Sequence, residues 1–358
     1  MCSREPARGR RIGVCSVTDG RATRGARLRP LEHGLPRQEG QTLGLLLEHL
    51  ATSPAEGERW QQWQIRRIGG GANNVLYRAS SDHADLAIKF TIRDERDRAG
   101  REYAALQALR KADLHLAPQA LWLDRERYPQ PVVVQTWLAG TVLDAPPDSD
   151  EDWESLLEHL GAVHVVNPEY LTPPLLPVVL TIRSALEGRA RIQENIDRLP
   201  PDQRPASLLK LLIGLDRTPF PTWPAIRPRL CRGDCHCRNF LRRPGGWASV
   251  DWEYSGWGDP AFEVADLLCA PSFHQVTPDR REWAIRQYSA RSADPTVALR
   301  IQTYYRLMLV WWVARLARSR YEVPLGRDQR LAARSPNWQA ENAMTYERYL
   351  QRAWNALG

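Results

Sequence analysis

Long apolar runs, lysine and methionine are all scarce in this chain of 358 residues. The most apolar stretch, residues 307–314, lies between Arg306 and Arg315 and is far shorter than the roughly 20 residues that span a bilayer. No apolar segment follows the basic start of the sequence, which argues against a secretory signal. We therefore expect a cytoplasmic protein that makes no membrane contact.

Paired metal-ligand motifs are also missing. Of the six cysteines, Cys231, Cys235 and Cys237 crowd around His236. A zinc site usually takes two spaced pairs of ligands, and the sequence holds no second Cys-x-x-Cys or His-x-x-x-His pair. Without a secretory signal, we expect reduced thiols at these positions rather than disulfides or metal ligands.

Positive charge is concentrated in the first forty residues. The formal net charge is +7, and residues 1–40 hold nine arginines against four acidic residues, so the remainder is nearly neutral. This segment is rich in Arg, Gly and Pro and lacks apolar periodicity, which predicts a disordered tail. A nucleic acid would have to bind through the tail, but no aromatic residues interleave its arginines as in single-strand binders. We do not expect nucleic-acid binding by the folded part.

The order of predicted elements indicates two unlike lobes. Strand-like runs lie at 60–68, 75–80, 86–91, 119–123 and 132–137. They surround one predicted helix at 94–111, and the turn-rich segments between the first three runs predict an antiparallel meander. Helical periodicity dominates after residue 140. We predict a bilobal α+β fold, with a small antiparallel-sheet N-lobe at 41–138 and a mostly helical C-lobe at 139–358 that carries the catalytic loop and the acceptor site.

The strongest chemical signal is a set of oxygen-bearing side chains in the C-lobe. Asp234 and Asn239 have the Asp-x-x-x-x-Asn spacing of a kinase catalytic loop, and Asp251 follows after a Pro-Gly-Gly turn. Phosphoryl transfer requires a carboxylate directed at the attacking hydroxyl and oxygen ligands that hold Mg²⁺ on the phosphates. The first two residues alone would indicate turn caps. With Asp251 present, the set predicts catalysis by Asp234 and metal binding by Asn239 and Asp251.

A glycine-rich segment in the N-lobe fits the same chemistry. Gly70, Gly71, Asn73 and Asn74 lie between two predicted strands, where bare backbone can approach phosphate groups. Ordinary hairpins are often rich in Gly and Asn as well, so this segment alone does not distinguish the two interpretations.

Lysine occurs at only three positions, Lys89, Lys111 and Lys210, among 49 basic residues. Lys89 ends a predicted strand, as does the kinase lysine that contacts the nucleotide phosphates. Glu102 follows on the predicted helix, where it can form an ion pair with Lys89. Such a pair is elsewhere often two solvated charges, but the scarcity of lysine favours a functional role here.

Together these residues resemble the aminoglycoside phosphotransferase and choline kinase-like family, whose members are relatives of the protein kinases. The similarity covers residues 65–268 and is most specific at 232–266, where Asp-Trp-Glu and Gly-Asp-Pro motifs follow the catalytic loop. The resemblance implies a protein-kinase-like fold, ATP and Mg²⁺ as cofactors, and the hydroxyl of a small molecule as phosphate acceptor.

The resemblance also implies individual roles. Asp234 would act as the base or orient the hydroxyl, Asn239 and Asp251 would bind Mg²⁺, and Asp259 would support the catalytic loop. The nucleotide would be bound by Gly70, Gly71, Asn73, Asn74, Lys89 and Glu102, and at an apolar hinge by Gln135, Trp137 and Leu138.

Two positions depart from the family pattern. Arg232 stands where a histidine usually precedes the catalytic Asp by two residues, and Ala72 stands where the phosphate loop often has a hydroxyl residue. Neither departure removes a metal ligand, so we predict an active phosphotransferase. The alternative is a nucleotide-binding pseudokinase with a regulatory role. A protein kinase is not indicated, because no activation segment separates Asp251 from the Gly-Asp-Pro motif.

Seven acidic residues between 144 and 158 bear on the identity of the acceptor. They are Asp144, Asp148, Asp150, Glu151, Asp152, Glu154 and Glu158. Clustered carboxylates near the cleft would attract an amine-bearing acceptor, such as an aminoglycoside or a choline-like compound. Acidic residues are equally common at the start of a solvated helix, where they favour the positive end of its dipole. The sequence leaves both interpretations open.

Overall fold

The computed structural model describes residues 37–53, 56–69, 71, 73–168, 175–327, 330–331 and 333–358. Helix α1 (Arg37–Thr52) begins inside the segment 1–40 for which the sequence predicts a tail. Residues 1–36 lie outside the described residues. The division into lobes at residue 138 stays a prediction.

A six-stranded antiparallel sheet forms the N-terminal lobe. Its strands are β1 (Gly57–Trp60), β2 (Trp63–Ile68), β3 (Asn74–Ser80), β4 (Asp85–Thr91), β5 (Ala120–Asp124) and β6 (Val132–Thr136). They lie in the order β1–β2–β3–β4–β6–β5. The predicted run 60–68 is in fact a hairpin, because Gln61 has a φ of 51° and reverses the chain between Trp60 and Trp63.

Helix α1 covers one face of this sheet through a stripe of leucines. Leu43, Leu46, Leu47 and Leu50 recur at the three- and four-residue spacing of a helix face. All four are buried in one cluster with side chains of β2, β3, β4 and β6. This cover accounts for the burial of Leu86, Ile88 and Phe90 on one face of β4, whereas Lys89 points to the opposite face.

Helix α2 (Arg98–Lys111) links the sheet to the rest of the molecule. It starts four residues after the predicted residue 94, because Asp97 has a left-handed φ of 47° and ends the preceding turn. Ala105 and Leu109 pack in one cluster with Leu230 and Trp252, which come from the C-terminal part of the chain. Helix α2 is therefore fixed against the segments that carry the predicted catalytic and metal-binding residues.

The C-terminal lobe is built around one long helix. Its helices are α3 (Asp150–Val163), α4 (Ala185–Asp197), α5 (Ala206–Arg217), α6 (Pro260–Cys269), α7 (Pro278–Ala290), α8 (Val297–Glu322) and α9 (Trp338–Leu357). Helix α8 packs against α4, α6 and α9, and its apolar residues are buried in the largest core cluster. Helix α4 begins at Ala185, because the Ser184 side chain caps it by accepting a hydrogen bond from the Glu187 N–H.

Five short strands lead into or follow the segments that carry Asp234 and Asp251. They are β7 (Thr141–Val142), β8 (Arg229–Cys231), β9 (Phe240–Arg243), β10 (Gly246–Ser249) and β11 (Gly256–Gly258). Strand β8 ends just before Asp234, and β10 ends just before Asp251, so the antiparallel pairs β8–β11 and β9–β10 bring these carboxylates to one end of the C-lobe. The predicted α+β fold, an antiparallel sheet followed by a mostly helical part, is confirmed. Within the described ranges, no helix is long and apolar enough to cross a membrane.

Candidate active site

Lys89 lies where the two lobes meet. Its Nζ atom is 2.9 and 2.7 Å from the two carboxylate oxygens of Glu102 and 2.7 Å from Oδ1 of Asp251. Lys89 is 3% exposed and Glu102 is fully buried. Burial by itself would lower the pKa of Lys89, but the Asp251 and Glu102 carboxylates outweigh it and raise that pKa above its usual value. The lysine is therefore a fixed cation held between the sheet and the C-lobe.

Asp251 occupies an unusual backbone conformation. Its φ is 62°, in the left-handed region that Asp and Asn tolerate better than most residues. Burial would raise the pKa of this carboxyl, but Lys89, followed by the Arg232 and Arg98 guanidinium groups, lowers it below its ordinary value. Asp251 therefore carries a negative charge, as a metal ligand requires.

The catalytic loop holds Asp234 in a different electrostatic setting. Burial, followed by the nearby Asp251 carboxylate, raises the pKa of Asp234 above its ordinary value. Its Oδ1 atom accepts a hydrogen bond of 3.2 Å from the His236 N–H. The side-chain amide of Asn239 lies 3.5 Å from the Asp234 carbonyl oxygen. The site thus pairs a carboxyl with a raised pKa and a carboxylate with a lowered one, as sites that combine proton transfer with electrostatic stabilisation do.

Only glycine fits at position 233 of this loop. Gly233 has a φ of 73°, and an added Cβ would lie 2.5 Å from a Val178 methyl and 2.8 Å from the Tyr254 carbonyl oxygen. The chain at Gly233, next to Asp234, therefore passes directly against the turn that follows Asp251.

Arg232 is completely buried beneath the two loops. Its Nη1 atom donates a 3.0 Å hydrogen bond to the Asp234 carbonyl, and its Nη2 atom donates to the carbonyls of Val250 at 2.7 Å and Asp251 at 3.4 Å. The guanidinium also lies 4.8 Å from the Phe240 ring centre. The departure from histidine therefore places one cation between the loop that carries Asp234 and the segment that carries Asp251.

Glu263 supports the catalytic loop, and sequence reasoning missed it. Its Oε1 atom accepts the backbone N–H of Arg232 at 2.5 Å and of Gly233 at 3.0 Å, and its Oε2 atom is 2.6 Å from His164 Nε2. Sequence reasoning gave the supporting role to Asp259. The available signal was an acidic residue four positions after Asp259 in the Gly-Asp-Pro motif.

Asp259 instead anchors helix α8. Its two carboxylate oxygens are each 3.0 Å from the Arg300 guanidinium, and Oδ2 also accepts a 2.8 Å hydrogen bond from Tyr304. It further caps α6 through the Ala261 N–H. Arg300 and Asp259 are both buried, at 3% and 1% exposed.

The glycine-rich segment contacts the C-lobe through Asn73. The Asn73 side-chain amide lies 3.2 Å from Glu253 Oε1 and 3.0 Å from the Tyr254 hydroxyl. Asn74 is the first residue of β3 and is buried, whereas Gly71 is exposed. Gly70 and Ala72 lie outside the described residues.

The predicted hinge residues follow at the end of β6. Gln135 is 3% exposed, and its Oε1 atom has no hydrogen-bond partner among the described residues. The Trp137 N–H donates to the Asp85 carbonyl at 2.7 Å, and its ring lies under Arg78. Leu138 lines a cavity of about 310 Å³ together with the end of α2. Their contribution to nucleotide binding stays a prediction.

Two thiols of the cysteine-rich segment form hydrogen bonds with backbone carbonyls. The Cys235 thiol donates to the Glu263 carbonyl and the Cys237 thiol to the Asp144 carbonyl, each at 3.5 Å. A separate group of potential metal ligands, His164, Cys231 and Glu263, is buried, but its His and Glu bind each other and the catalytic loop.

The acidic cluster at 144–158, for which the sequence left two interpretations open, is largely paired. Asp150, Glu151 and Asp152 lie in the first turn of α3, whose N-cap is Ser149. Four members form ion pairs with arginines, and these pairs are Asp144–Arg238, Asp150–Arg280, Asp152–Arg242 and Glu158–Arg291. This arrangement fits the interpretation as a solvated helix start, and it removes much of the net negative charge.

A cavity of about 300 Å³ lies beside the catalytic loop. Its polar lining comprises Asp144, His236, Arg238, Ser272, His274 and Gln275. The volume is at the lower end of the range for small-molecule pockets.

The sequence model of the phosphotransferase enzyme family matches residues 64–300, about two thirds of the chain. The chain belongs to this family. Its matched region includes Lys89, the catalytic loop and Asp251. No curated protein matches the sequence.

Solved structures of small-molecule kinases share the fold. A choline/ethanolamine kinase family protein from Mesorhizobium loti is 19% identical, with a TM-score of 0.55 over 88% of this chain and 98% of that one. Spectinomycin phosphotransferase, solved with ADP and spectinomycin, is 13% identical, with a TM-score of 0.60 over 87% and 98%. An aminoglycoside phosphotransferase solved with GDP and kanamycin is 18% identical, with a TM-score of 0.59 over 87% and 99%.

These findings confirm the resemblance to phosphotransferases and the protein-kinase-like fold. The chain is a member of a phosphotransferase enzyme family and has the fold of the small-molecule kinases among these structures. No feature of the described site favours the pseudokinase alternative, since Lys89, Asp234, Asn239 and Asp251 are all present.

Proposed function

We propose that this protein transfers the γ-phosphate of ATP to a hydroxyl group of a small molecule, with Mg²⁺ as cofactor. The observation that carries the proposal is the 2.7 Å contact between Lys89 Nζ and Asp251 Oδ1. It joins the lysine suited to the nucleotide phosphates with the carboxylate suited to the metal. Asp234 lies on the neighbouring loop, where a carboxylate can orient the acceptor.

The donor set of Asn239 and Asp251 fits Mg²⁺. Both side chains offer hard oxygen atoms, and Mg²⁺ in such sites is held by one or two protein ligands together with phosphates and waters. When bound, the ion would neutralise charge on the phosphates. The ion would compete with Lys89 for the Asp251 carboxylate, so binding of Mg-nucleotide would redistribute the contacts of this side chain.

Asp234 acts on the acceptor in this proposal. A carboxyl whose pKa is raised accepts a proton from the attacking hydroxyl more readily than an ordinary Asp carboxylate does. Arg232 and Glu263 hold the loop backbone, which keeps the Asp234 carboxylate in place while the acceptor binds.

The test is ADP production with a panel of hydroxyl compounds and Mg-ATP. We expect Asp234→Asn to lower kcat by about 100- to 10,000-fold, with little change in Mg-ADP affinity. Asp202→Asn, at an exposed position of the C-lobe, is the control. Full turnover by Asp234→Asn would refute the assignment. Comparing stabilisation by ADP and by GDP tests the choice of ATP.

We further propose a neutral, hydroxyl-rich acceptor rather than a polycation. Four acidic residues of the cluster are already paired with arginines, and the cavity beside the catalytic loop has a mixed lining of histidine, glutamine, serine and one Asp144–Arg238 pair. Such a lining hydrogen-bonds hydroxyl groups without selecting a charge. Higher kcat/KM for aminoglycosides than for neutral polyols would contradict this acceptor class and leave the phosphotransfer assignment standing.

A further inference from the structure

Arg232 is a buried cation without a carboxylate in ion-pair contact among the described residues. Its partners are three backbone carbonyls, and its guanidinium carbon lies 4.8 and 5.3 Å from the ring centres of Phe240 and Trp252. Its Nε atom is buried and has no hydrogen-bond partner within the described part of the chain. Burying a charge is costly unless the surrounding groups stabilise it. Its location therefore indicates a role for the charge itself.

The carbonyl partners of Arg232 belong to two different segments. One is Asp234, on the loop that carries the proposed base. The others are Val250 and Asp251, at the end of the strand that carries the proposed metal ligand. One planar guanidinium therefore fixes the spacing between these two segments, because its donors have a rigid geometry.

The charge of Arg232 also acts on the carboxylates around it. It lowers the pKa of Asp234, Asp251 and Glu263 relative to what burial alone would give. The guanidinium of arginine always carries its charge, whereas a buried imidazole is readily neutral. The hydrogen bonds of Arg232 and its charge therefore act on the same two residues: the hydrogen bonds hold the backbone at Asp234 and Asp251, and the charge favours the ionised form of both carboxyls.

We propose that Arg232 is a positioning residue that sets the geometry of Asp251 relative to Asp234, and thereby the affinity of the site for Mg-nucleotide. This inference rests on the proposed function. In contrast to a purely structural residue, Arg232 then affects metal dependence and turnover in the folded protein. The usual histidine of the family can replace it in part, because imidazole can donate to only some of the carbonyls.

The first experiment compares Arg232→Met with Arg300→Met. Both remove a buried arginine of the C-lobe, but Arg300 contacts Asp259, Asp294 and Thr296 and no proposed catalytic or metal-binding residue. We expect about a 100-fold lower kcat for Arg232→Met, since a displacement of about 1 Å can have this effect. Arg300→Met should keep the wild-type kcat per folded molecule.

The second measurement does not depend on turnover. Mg-ADP stabilises the folded protein in proportion to its affinity, so the rise in Tm can be followed as the Mg²⁺ concentration increases. For Arg232→Met we expect the midpoint of this rise to move to at least tenfold higher Mg²⁺, and for Arg300→Met no shift. Arg232→His should lie between wild type and Arg232→Met.

A wild-type Mg²⁺ midpoint and kcat in Arg232→Met, measured below its Tm, would overturn the proposal. Equal shifts in Arg232→Met and Arg300→Met would also overturn it, because they would indicate general loosening of the lobe. If Arg232→Met does not fold, Arg232→His and Arg232→Lys carry the same test. If the wild type shows no phosphotransfer but binds Mg-ADP, the proposed function fails while the Tm measurement still tests Arg232.

Discussion

Two buried ion-pair networks differ in what they connect. Lys89, Glu102 and Asp251 join the sheet lobe to the helical lobe across the site, whereas Asp259 and Arg300 lie wholly within the C-lobe. In both, the cation and at least one carboxylate are almost completely buried. In the proposed function, Asp251 exchanges its lysine contact for contacts with the ligand, whereas Asp259 keeps its contacts with Arg300 and Tyr304. We therefore expect the first network to affect activity and the second to affect stability.

Within these two networks, the largest effect is expected for Lys89→Met. Loss of a cation positioned on the transferred phosphates lowers kcat/KM by about 100- to 1,000-fold. It also leaves Glu102 buried without its partner, which destabilises the fold. Adding Glu102→Gln should restore the free energy of unfolding but not the activity. Recovery of activity in the double variant would show that Lys89 and Glu102 only stabilise the fold and that Lys89 has no role in phosphate transfer.

Arg300→Met should have the opposite profile. Removing one partner of a buried pair typically lowers the free energy of unfolding by about 3–5 kcal/mol, because the other charge is left buried. Chemical denaturation measures this loss, and kcat at a temperature well below the Tm should stay near wild type. A collapse of kcat without a change in stability would erase the distinction between the two networks.

His159 offers a contrast to the two ion-pair networks, because it is a buried titratable group that stays neutral. It lies 3.1 Å from the Trp247 carbonyl and 3.0 Å from Ser249 Oγ, and burial, followed by the Arg232 charge, lowers its pKa to about 3. The unfolded chain therefore takes up a proton first as the pH falls below about 6.5, and stability is lost from there down to about pH 3. Between pH 7.5 and pH 5 this group should contribute about 2 kcal/mol of that loss.

The check is the pH dependence of the unfolding free energy in His159→Gln and His115→Gln. His115 is exposed and serves as the control. The difference in stability between pH 7.5 and pH 5 should shrink in His159→Gln only. An unchanged difference would mean that His159 is protonated in the folded state.

The smallest effect is expected where an ion pair is open to water. Arg280 and Asp150 are 2.6 Å apart, and Asp150 is 65% exposed. Such pairs contribute about 0–1 kcal/mol. Asp150→Asn should therefore change the Tm very little, and less in high salt. A loss of stability comparable with that of Arg300→Met would show that solvent exposure does not distinguish this ion pair from the buried Arg300–Asp259 pair.

The sequence predicts the parts of this site that depend on local spacing. Asp234 and Asn239 lie five residues apart on one loop, and Lys89 and Glu102 occupy a strand and the following helix. Their arrangement is therefore visible without the fold. The antiparallel meander can also be predicted from the sequence. The turn at Gln61 cannot, because residues 60–68 read as one continuous strand.

Contacts between distant segments could not be predicted in this way. Glu263 is 31 residues beyond Arg232, whose N–H it accepts, and the Gly-Asp-Pro motif drew attention to Asp259 instead. Arg232 looked like a departure from a pattern, and only its carbonyl partners show what it connects. The acidic cluster was also ambiguous, because the Arg238 that pairs with Asp144 lies 94 positions away.

The burial of Lys89 gives this molecule a built-in reporter of cleft opening. Lys111 and Lys210, its only companions, are exposed. An amine-reactive reagent should therefore modify those two side chains quickly and Lys89 only when its ion pairs separate. Peptide mass spectrometry would measure the slow acylation of Lys89, whose rate reports how often the lobes separate. The fast acylation of Lys111 and Lys210 on the same chain would serve as the internal standard.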